Sequence, residues 1–204
     1  MTTFLIIRHG YSKSNEQGYF TGQTDVPLAT LGKAQADQTA RFLFVNYKID
    51  CLYSSPLSRA YDTAAPIAKL FNLPILIEED VKEINGGEWE GKTPERLLYL
   101  YKEAYSLWLS DIGVARCTSG ESMQEVQIRA VNALKKLAKR HEGQTVAITT
   151  HAGVIRALQC VWQKLPLSQM KTIPWVANAS ISVVRCDGEN FFLETLANVE
   201  HLQN

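Results

Sequence analysis

Apolar residues run without interruption from Phe4 to Ile7 and stop at Arg8. A short, continuous, β-branched run of this kind predicts a strand buried on both faces. The pattern returns at "CLYSS" (51–55), at "PILIEE" (74–79) and at Thr145 to Thr149. Between these runs the apolar spacing switches to the helical period. One helix is predicted from Thr30 to about Tyr47, with Leu31, Ala34, Phe42 and Val45 among its apolar positions. A second follows Pro56, with Ser58 as its cap, and reaches about Phe71 with a bend at Pro66. Thr93 to Ser110 predicts one tyrosine- and leucine-rich helix, apolar on most sides. Ser122 and Glu125 have the spacing of a capping box and open a long helix to about His141; Gly153 to Gln163 is the last. "SISVVRC" and "FFLETL" then flank Asp187-Gly188-Glu189-Asn190, the chemistry of a hairpin turn.

Strands alternating with helices define an α/β class: a mostly parallel central sheet flanked by helices on both faces, with a C-terminal hairpin adding an antiparallel element. No repeat, linker or low-complexity tract divides the chain, so residues 1–204 read as a single domain. Residues 84–120 are the least regular and are expected to form a lid-like elaboration over one end of the sheet.

Charge and composition narrow the partners. Twenty-one basic and twenty-one acidic residues balance, which gives no reason to expect nucleic acid or an anionic membrane as partner. Any anion must be held by a local cluster of cations. Cys51, Cys117, Cys160 and Cys186 are widely spaced, which signals neither a zinc site nor a disulfide framework and fits free thiols in a reducing cytoplasm. Arg8 cuts the first apolar run too early for a signal peptide, and no stretch approaches the ~20 apolar residues of a membrane span. A soluble, cytoplasmic protein is expected, and pairing of two copies into a homodimer stays open.

The candidate chemistry sits at strand ends. Arg8 and His9 end the first strand and His151 ends the fourth; two of the four histidines occupy this kind of junction. Arg59 follows the second strand in "SSPLSRA", and Glu83 follows the third in "EDVKEINGGEWEGKT". In open α/β sheets ligands bind beyond the carboxyl ends of the strands, so parallel strands would gather these side chains around one pocket. Taken alone, each has a plainer reading: a structural histidine, a solvated arginine, one acid among Glu78, Glu79, Asp80, Glu88 and Glu90. No phosphate-binding G-x-x-x-x-G-K-[ST] loop, G-x-G-x-x-G, H-E-x-x-H or G-x-S-x-G motif is present.

"RHGYSKSN" (8–15) resembles the R-H-G-x-S-x-x-N signature of the histidine phosphatase superfamily, which includes the cofactor-dependent phosphoglycerate mutases. The resemblance continues in family order through "FTGQTDVPLATLGKAQA" (20–36), "LYSSPLSRAYDTA" (52–64), "EINGGEWEGKT" (83–93), "GESMQEV" (120–126) and "THAGVIRAL" (150–158). It implies a phosphoglycerate mutase-like fold and a metal-independent phosphomonoesterase that needs no cofactor and acts on a small-molecule phosphomonoester. His9 would be the nucleophile, forming a phosphohistidine. Arg8, Arg59 and His151 would bind the phosphoryl group, with Asn15 as a further polar contact; a cationic His151 would add a third positive charge. Glu83 takes the place of the general acid, and Thr21 and Gly22 fall where family members contact substrate. Gly10 is read as the small residue that lets the chain turn beside the anion.

These residue types suit the reaction. Guanidiniums present fixed forks of donors to phosphate oxygens, and a neutral imidazole attacks in line while an acid protonates the departing alkoxide. Two other functions stay open. A mutase would pass the phosphate to a second hydroxyl, but the segment from Glu83 to His151 is shorter than in mutases, and "TGQTD" lacks the tryptophan they usually carry after the glycine. A non-catalytic phosphate-binding module would keep the fold alone. For the substrate, Trp89, Tyr99, Tyr101, Tyr105 and Trp108 offer either an apolar lid or plain helix core or dimer surface. Lys13 and Arg116 are candidates for a second acidic group.

Overall fold

The computed structural model describes residues 1–202. The strands are β1 (Thr2–Arg8), β2 (Cys51–Ser54), β3 (Ile75–Ile77), β4 (Thr145–Thr150), β5 (Ile181–Cys186) and β6 (Phe191–Asn198). They form one sheet in the order β3-β2-β4-β1-β5-β6. β3, β2, β4 and β1 run parallel, and β5 turns back against β1 and pairs with β6 in the antiparallel C-terminal hairpin.

The uninterrupted apolar run of β1 is explained by its central position. Phe4 and Ile6 face one core, where they meet Val126, Leu134 and Leu137 of α6 (Met123–Arg140) and Val154 and Leu158 of α7 (Ala152–Trp162). Leu5 and Ile7 face the other, against Ala40 and Leu43 of α2 (Thr30–Asn46) and Ala64 and Ile67 of α3 (Ser58–Phe71). A strand covered by helices on both sides has no polar face to alternate with.

Two local expectations are corrected, and one further helix is found. Ser58 is the first helical residue of α3 and not its cap; its N–H donates to Asp25 Oδ1 at 2.7 Å, so a carboxylate from another loop does the capping. Residues 93–110 form two helices, α4 (Pro94–Leu100) and α5 (Lys102–Ser110), parted at Tyr101, whose hydroxyl is tied to Glu88 at 3.0 Å. A short helix, α1 (Lys13–Gln17), was not anticipated. The capping box of α6 is present, with Glu125 Oε2 accepting from the Ser122 N–H at 2.8 Å.

Strand register sets up the site. Arg8 is level with Thr150, and Ser54 with Thr149. The residues that follow these strands (His9, Ser55 and His151) therefore leave the sheet at one edge. Gly10 is also required by a close backbone approach. A Cβ there would stand 2.5 Å from the Gly32 carbonyl oxygen, and one on Gly32 would strike the Tyr11 carbonyl. The pair lets the loop after β1 lie backbone to backbone on the first turn of α2, which fixes His9 from behind.

Candidate active site

A cavity of about 320 Å³ opens at this edge, and Arg8, His9, Asn15, Thr21, Gly22, Arg59 and Glu83 all stand in its wall. His9 is buried and held from several sides. Its N–H donates to the Thr150 carbonyl at 2.9 Å, and its own carbonyl accepts from Ala179 N–H and Asn178 Nδ2. Its ring Nδ1 lies 2.7 Å from the Gly10 carbonyl. A carbonyl can only accept, so Nδ1 carries the proton and Nε2 keeps a bare lone pair. Burial, reinforced by the charges of Arg59 and Arg8, pushes the His9 pKa well below its usual 6.5. The imidazole is neutral.

Arg59, at 1% exposure, enters from the first turn of α3. Its Nη1 donates to the Thr24 carbonyl at 2.9 Å and its Nη2 to the Gly22 carbonyl at 2.8 Å. Gly22 has φ of 52°, and a Cβ there would lie 2.2 Å from Glu90 Oε1, so only glycine fits this turn. Glu90 in turn accepts from the Gln23 and Gly86 N–H groups at 2.7 and 3.0 Å. Arg8 Nη1 donates to the Val176 carbonyl. Burial lowers the pKa of both arginines from 12.5, and the Glu83 carboxylate is close enough to both to oppose that shift. Glu83 itself is half-buried; Oε1 accepts from the Ile84 N–H at 2.9 Å and Oε2 from the Gly153 N–H at 3.2 Å.

His151 is placed differently from expectation. It is fully buried, it stands beside His9 with ring centroids 5.2 Å apart, and it is absent from the cavity wall. Its Nε2 is 2.7 Å from Ser55 Oγ, while Nδ1 has no partner. Burial first, then the charges of Arg59 and its neighbours, lowers its pKa well below 6.5, so the protein's own groups hold it neutral and not cationic. Asn15 spends its side-chain oxygen on Ser12 N–H, at 3.0 Å, and on Asn178 Nδ2, at 3.2 Å. That leaves its amide nitrogen for the pocket.

Of the aromatic candidates only Trp108 lines the cavity. Trp89 and Tyr105 are core, and Phe20, Trp89 and Trp108 pack edge to face with centroids 5.4–5.6 Å apart. Tyr99 is exposed and Tyr101 sits against Lys92. Lys13 and Arg116 pair with Glu16 and Glu125 and stay outside the cavity.

Several residues at the site escaped sequence reasoning. Asn178 braces His9, Gly10 and Asn15 together. Arg129 of α6 clamps the carbonyls of Asp80, Lys82 and Glu83 while pairing with Glu121, which fixes the loop that carries Glu83. Trp175, Tyr19 and Phe20 complete the wall. Asn178 and Arg129 act on backbone carbonyls far away in sequence, and local pattern carries no signal for that.

The two neutral histidines make the fold acid-sensitive. In the unfolded chain each takes a proton at about pH 6.5; in the folded chain each does so only well below that. Their contribution to stability is therefore complete above about pH 6.5 and is lost as pH falls below it. Each histidine adds a slope of about 1.4 kcal/mol per pH unit there. Urea unfolding between about pH 7 and pH 5 is expected to show the combined slope, reduced by about 1.4 kcal/mol per pH unit in His9→Ala. An unchanged slope in the variant would mean that His9 is already charged in the folded protein.

A mostly parallel α/β sheet whose strand ends set a neutral imidazole beside two guanidiniums and a carboxylate is the phosphoglycerate mutase-like arrangement. The model of the histidine phosphatase superfamily (branch 1) matches residues 4–199. The chain belongs to that superfamily and is a phosphatase. It is 32% identical over 206 residues to the metal-independent phosphoserine phosphatase of Arabidopsis thaliana, covering 100% of this chain and 84% of the relative. YhfR of Bacillus stearothermophilus superposes with a TM-score of 0.94 at 29% identity, over 100% of both chains. A mutant phosphoserine phosphatase of Entamoeba histolytica, solved in complex with phosphoserine, gives 0.88 at 28%, again over 100% of both. Among the described residues no helix is long and apolar enough to cross a membrane, and no cluster of His, Cys, Asp and Glu is arranged to hold a metal ion.

Proposed function

We propose that the chain is a metal-independent phosphomonoesterase that hydrolyses a small phosphorylated metabolite through a phosphohistidine on His9. The observation that carries this reading is the His9 tautomer, with Nδ1 committed to Gly10 O at 2.7 Å and Nε2 bare at the cavity wall. Arg8 and Arg59 hold the phosphoryl oxygens and stabilise their charge as phosphorus moves from oxygen to nitrogen. The lone pair of Nε2 forms the N–P bond as the P–O bond to the alcohol breaks, and Glu83 gives its proton to the departing oxygen. The ring keeps its Nδ1 proton, so the positive charge it gains is shared with the Gly10 carbonyl. Glu83, now a carboxylate, then takes a proton from the water that attacks phosphorus, and inorganic phosphate leaves.

His151 begins neutral. A dianion seated beside it opposes the burial and the arginine charges that keep it so, and His151 then takes up a proton as the phosphoryl group arrives. Residues 84–120 cover the leaving-group side, where Ile84 and Trp108 join Tyr19, Phe20 and Trp175. The relatives named phosphoserine phosphatase make phosphoserine the first substrate to test. The four cysteines are free and three are buried, which supports a reducing, cytoplasmic setting.

The test is release of inorganic phosphate from p-nitrophenyl phosphate and phosphoserine in excess chelator, with alkaline quenching to trap label on the protein and acid treatment to release it. Undiminished release together with acid-labile protein-bound phosphate is expected. Release that the chelator abolishes would sink the reading.

A further inference from the structure

A second cavity, of about 200 Å³, lies next to the first and shares Trp108 and Trp175 with it as common walls. The rest of its lining is Leu109, Ile112, Arg156 and Lys171, with no carboxylate among them. α7 joins the two spaces. Ala152 and Gly153 border the catalytic cavity, and Arg156 borders the second. Gly153 and Arg156 are three residues apart, so they share a helix face about 4.5 Å apart along the axis.

Arg156 is unusual for a buried cation. It is 7% exposed, its Nη2 donates to the Met170 carbonyl at 3.0 Å, and its guanidinium carbon stacks 4.3 Å from the centre of the Trp175 ring. Its Nε has no partner, and among the described residues no carboxylate pairs with it. Arg129, on the neighbouring helix, is by contrast matched to Glu121 at 2.9 Å. A guanidinium taken out of water without a counter-charge is costly, and a bound anion is what offsets that cost. Lys171, exposed and likewise outside any ion pair among the described residues, adds a second positive charge at the cavity's rim.

We infer that this cavity is a substrate subsite for an anion. It takes a carboxylate or second phosphate at the far end of the alcohol, while the scissile phosphoryl group sits between Arg8 and Arg59. The inference rests on the phosphomonoesterase reading and extends it to a substrate class: phosphomonoesters with a second anionic group, separated from the ester by a chain or ring that passes Trp108 and Trp175. Trp175, 49% exposed and braced by Arg156, is the wall such a body packs against. The first cavity alone offers no such anchor, because Lys13 and Arg116 lie elsewhere and both cations in its wall serve the phosphoryl group.

The test uses ω-carboxyalkyl phosphates of increasing chain length, each paired with its methyl ester, on the native chain and on Lys171→Glu. Each protein is read as the ratio of kcat/KM for acid over ester, so a loss common to both substrates cancels. A ratio of about tenfold or more at one or more chain lengths is expected in the native chain, falling to about one or below in Lys171→Glu. A ratio near one at every length, or the same ratio in the variant, would overturn the subsite while leaving the phosphatase intact. Calorimetric binding of the same pairs to His9→Ala separates the two ideas. Tighter binding of the acid, lost with Lys171→Glu, supports the subsite even if the native chain hydrolyses none of these esters, the phosphomonoesterase reading being decided separately by p-nitrophenyl phosphate and phosphoserine. Equal binding of acid and ester overturns the subsite. Lys171 is exposed, so its substitution does not put folding at risk; Arg156→Gln serves as the second variant, with the same ratio as its readout.

Discussion

His9→Ala is expected to lower kcat/KM for every phosphomonoester by roughly 10⁴-fold or more, with no acid-labile phosphate left on the protein. The size of the effect follows from what the ring does. A dianionic phosphate repels incoming nucleophiles, and in the proposed mechanism Arg8 and Arg59 answer the charge and His9 makes the attack. Alanine keeps the arginines, so binding survives and the loss falls on kcat. Ser55 Oγ is committed to His151, and the His151 Nδ1 has no exposed surface from which to attack. Folding should tolerate the change, because the variant removes a buried polar ring and leaves the strand hydrogen bonds of β1 intact. Steady-state rates with p-nitrophenyl phosphate, and phosphate affinity by calorimetry, separate the two parts. A variant that retained activity within about tenfold of native would rule out the covalent route.

The architecture was legible where sequence pattern and tertiary environment agree. β1 announced itself because a central parallel strand is apolar on both faces, and the Asp187–Asn190 turn because Asp187 Oδ1 accepts from both Glu189 and Asn190 N–H groups, a local interaction. Pattern misled where a distant group does a local job. Asp25 caps α3 from a loop that the sequence does not place near Ser58, and the hold of Glu88 on Tyr101 marks the break between α4 and α5. α1 is five residues long, too short for any periodic signal.

The site divides the same way. Arg8, His9, Arg59 and His151 were candidates because parallel register gathers strand ends, and the family resemblance gave them roles. Charge pattern alone does not mark Glu83 out in the acidic stretch from Glu78 to Glu90, although its place at the head of "EINGGEWEGKT" does through the family resemblance. It is singled out in space, by the Gly153 N–H at the start of α7 and by the grip of Arg129 on its backbone. The resting charge of His151 was not legible for a related reason: it depends on complete burial, which a position at a strand end does not reveal.

Glu83→Gln should separate the two half-reactions. As acid, Glu83 matters in proportion to how badly the leaving group needs a proton, and general acid catalysis is worth about 10²–10⁴-fold. The serine of phosphoserine leaves as a basic alkoxide, so turnover of that substrate should fall by roughly 10³-fold in the variant. p-Nitrophenolate leaves well without help, so the first burst of nitrophenol should survive. As base, however, Glu83 is needed by every substrate, because the same phosphohistidine must be hydrolysed whichever alcohol made it. After the burst, turnover with p-nitrophenyl phosphate should stall and phosphohistidine should accumulate to about one per chain. Glutamine is the right probe, since its amide preserves the volume and can still accept from the Ile84 or Gly153 N–H while holding no proton to transfer. Rapid mixing with p-nitrophenyl phosphate, followed by alkaline and acid quenching, reads both quantities at once. A uniform loss on both substrates with no phosphorylated protein would move Glu83 from proton transfer to mere support of the site. A full burst followed by an undiminished steady state would assign the base to another group. Only a burst followed by a stall fits a single carboxylate that serves first as acid and then as base.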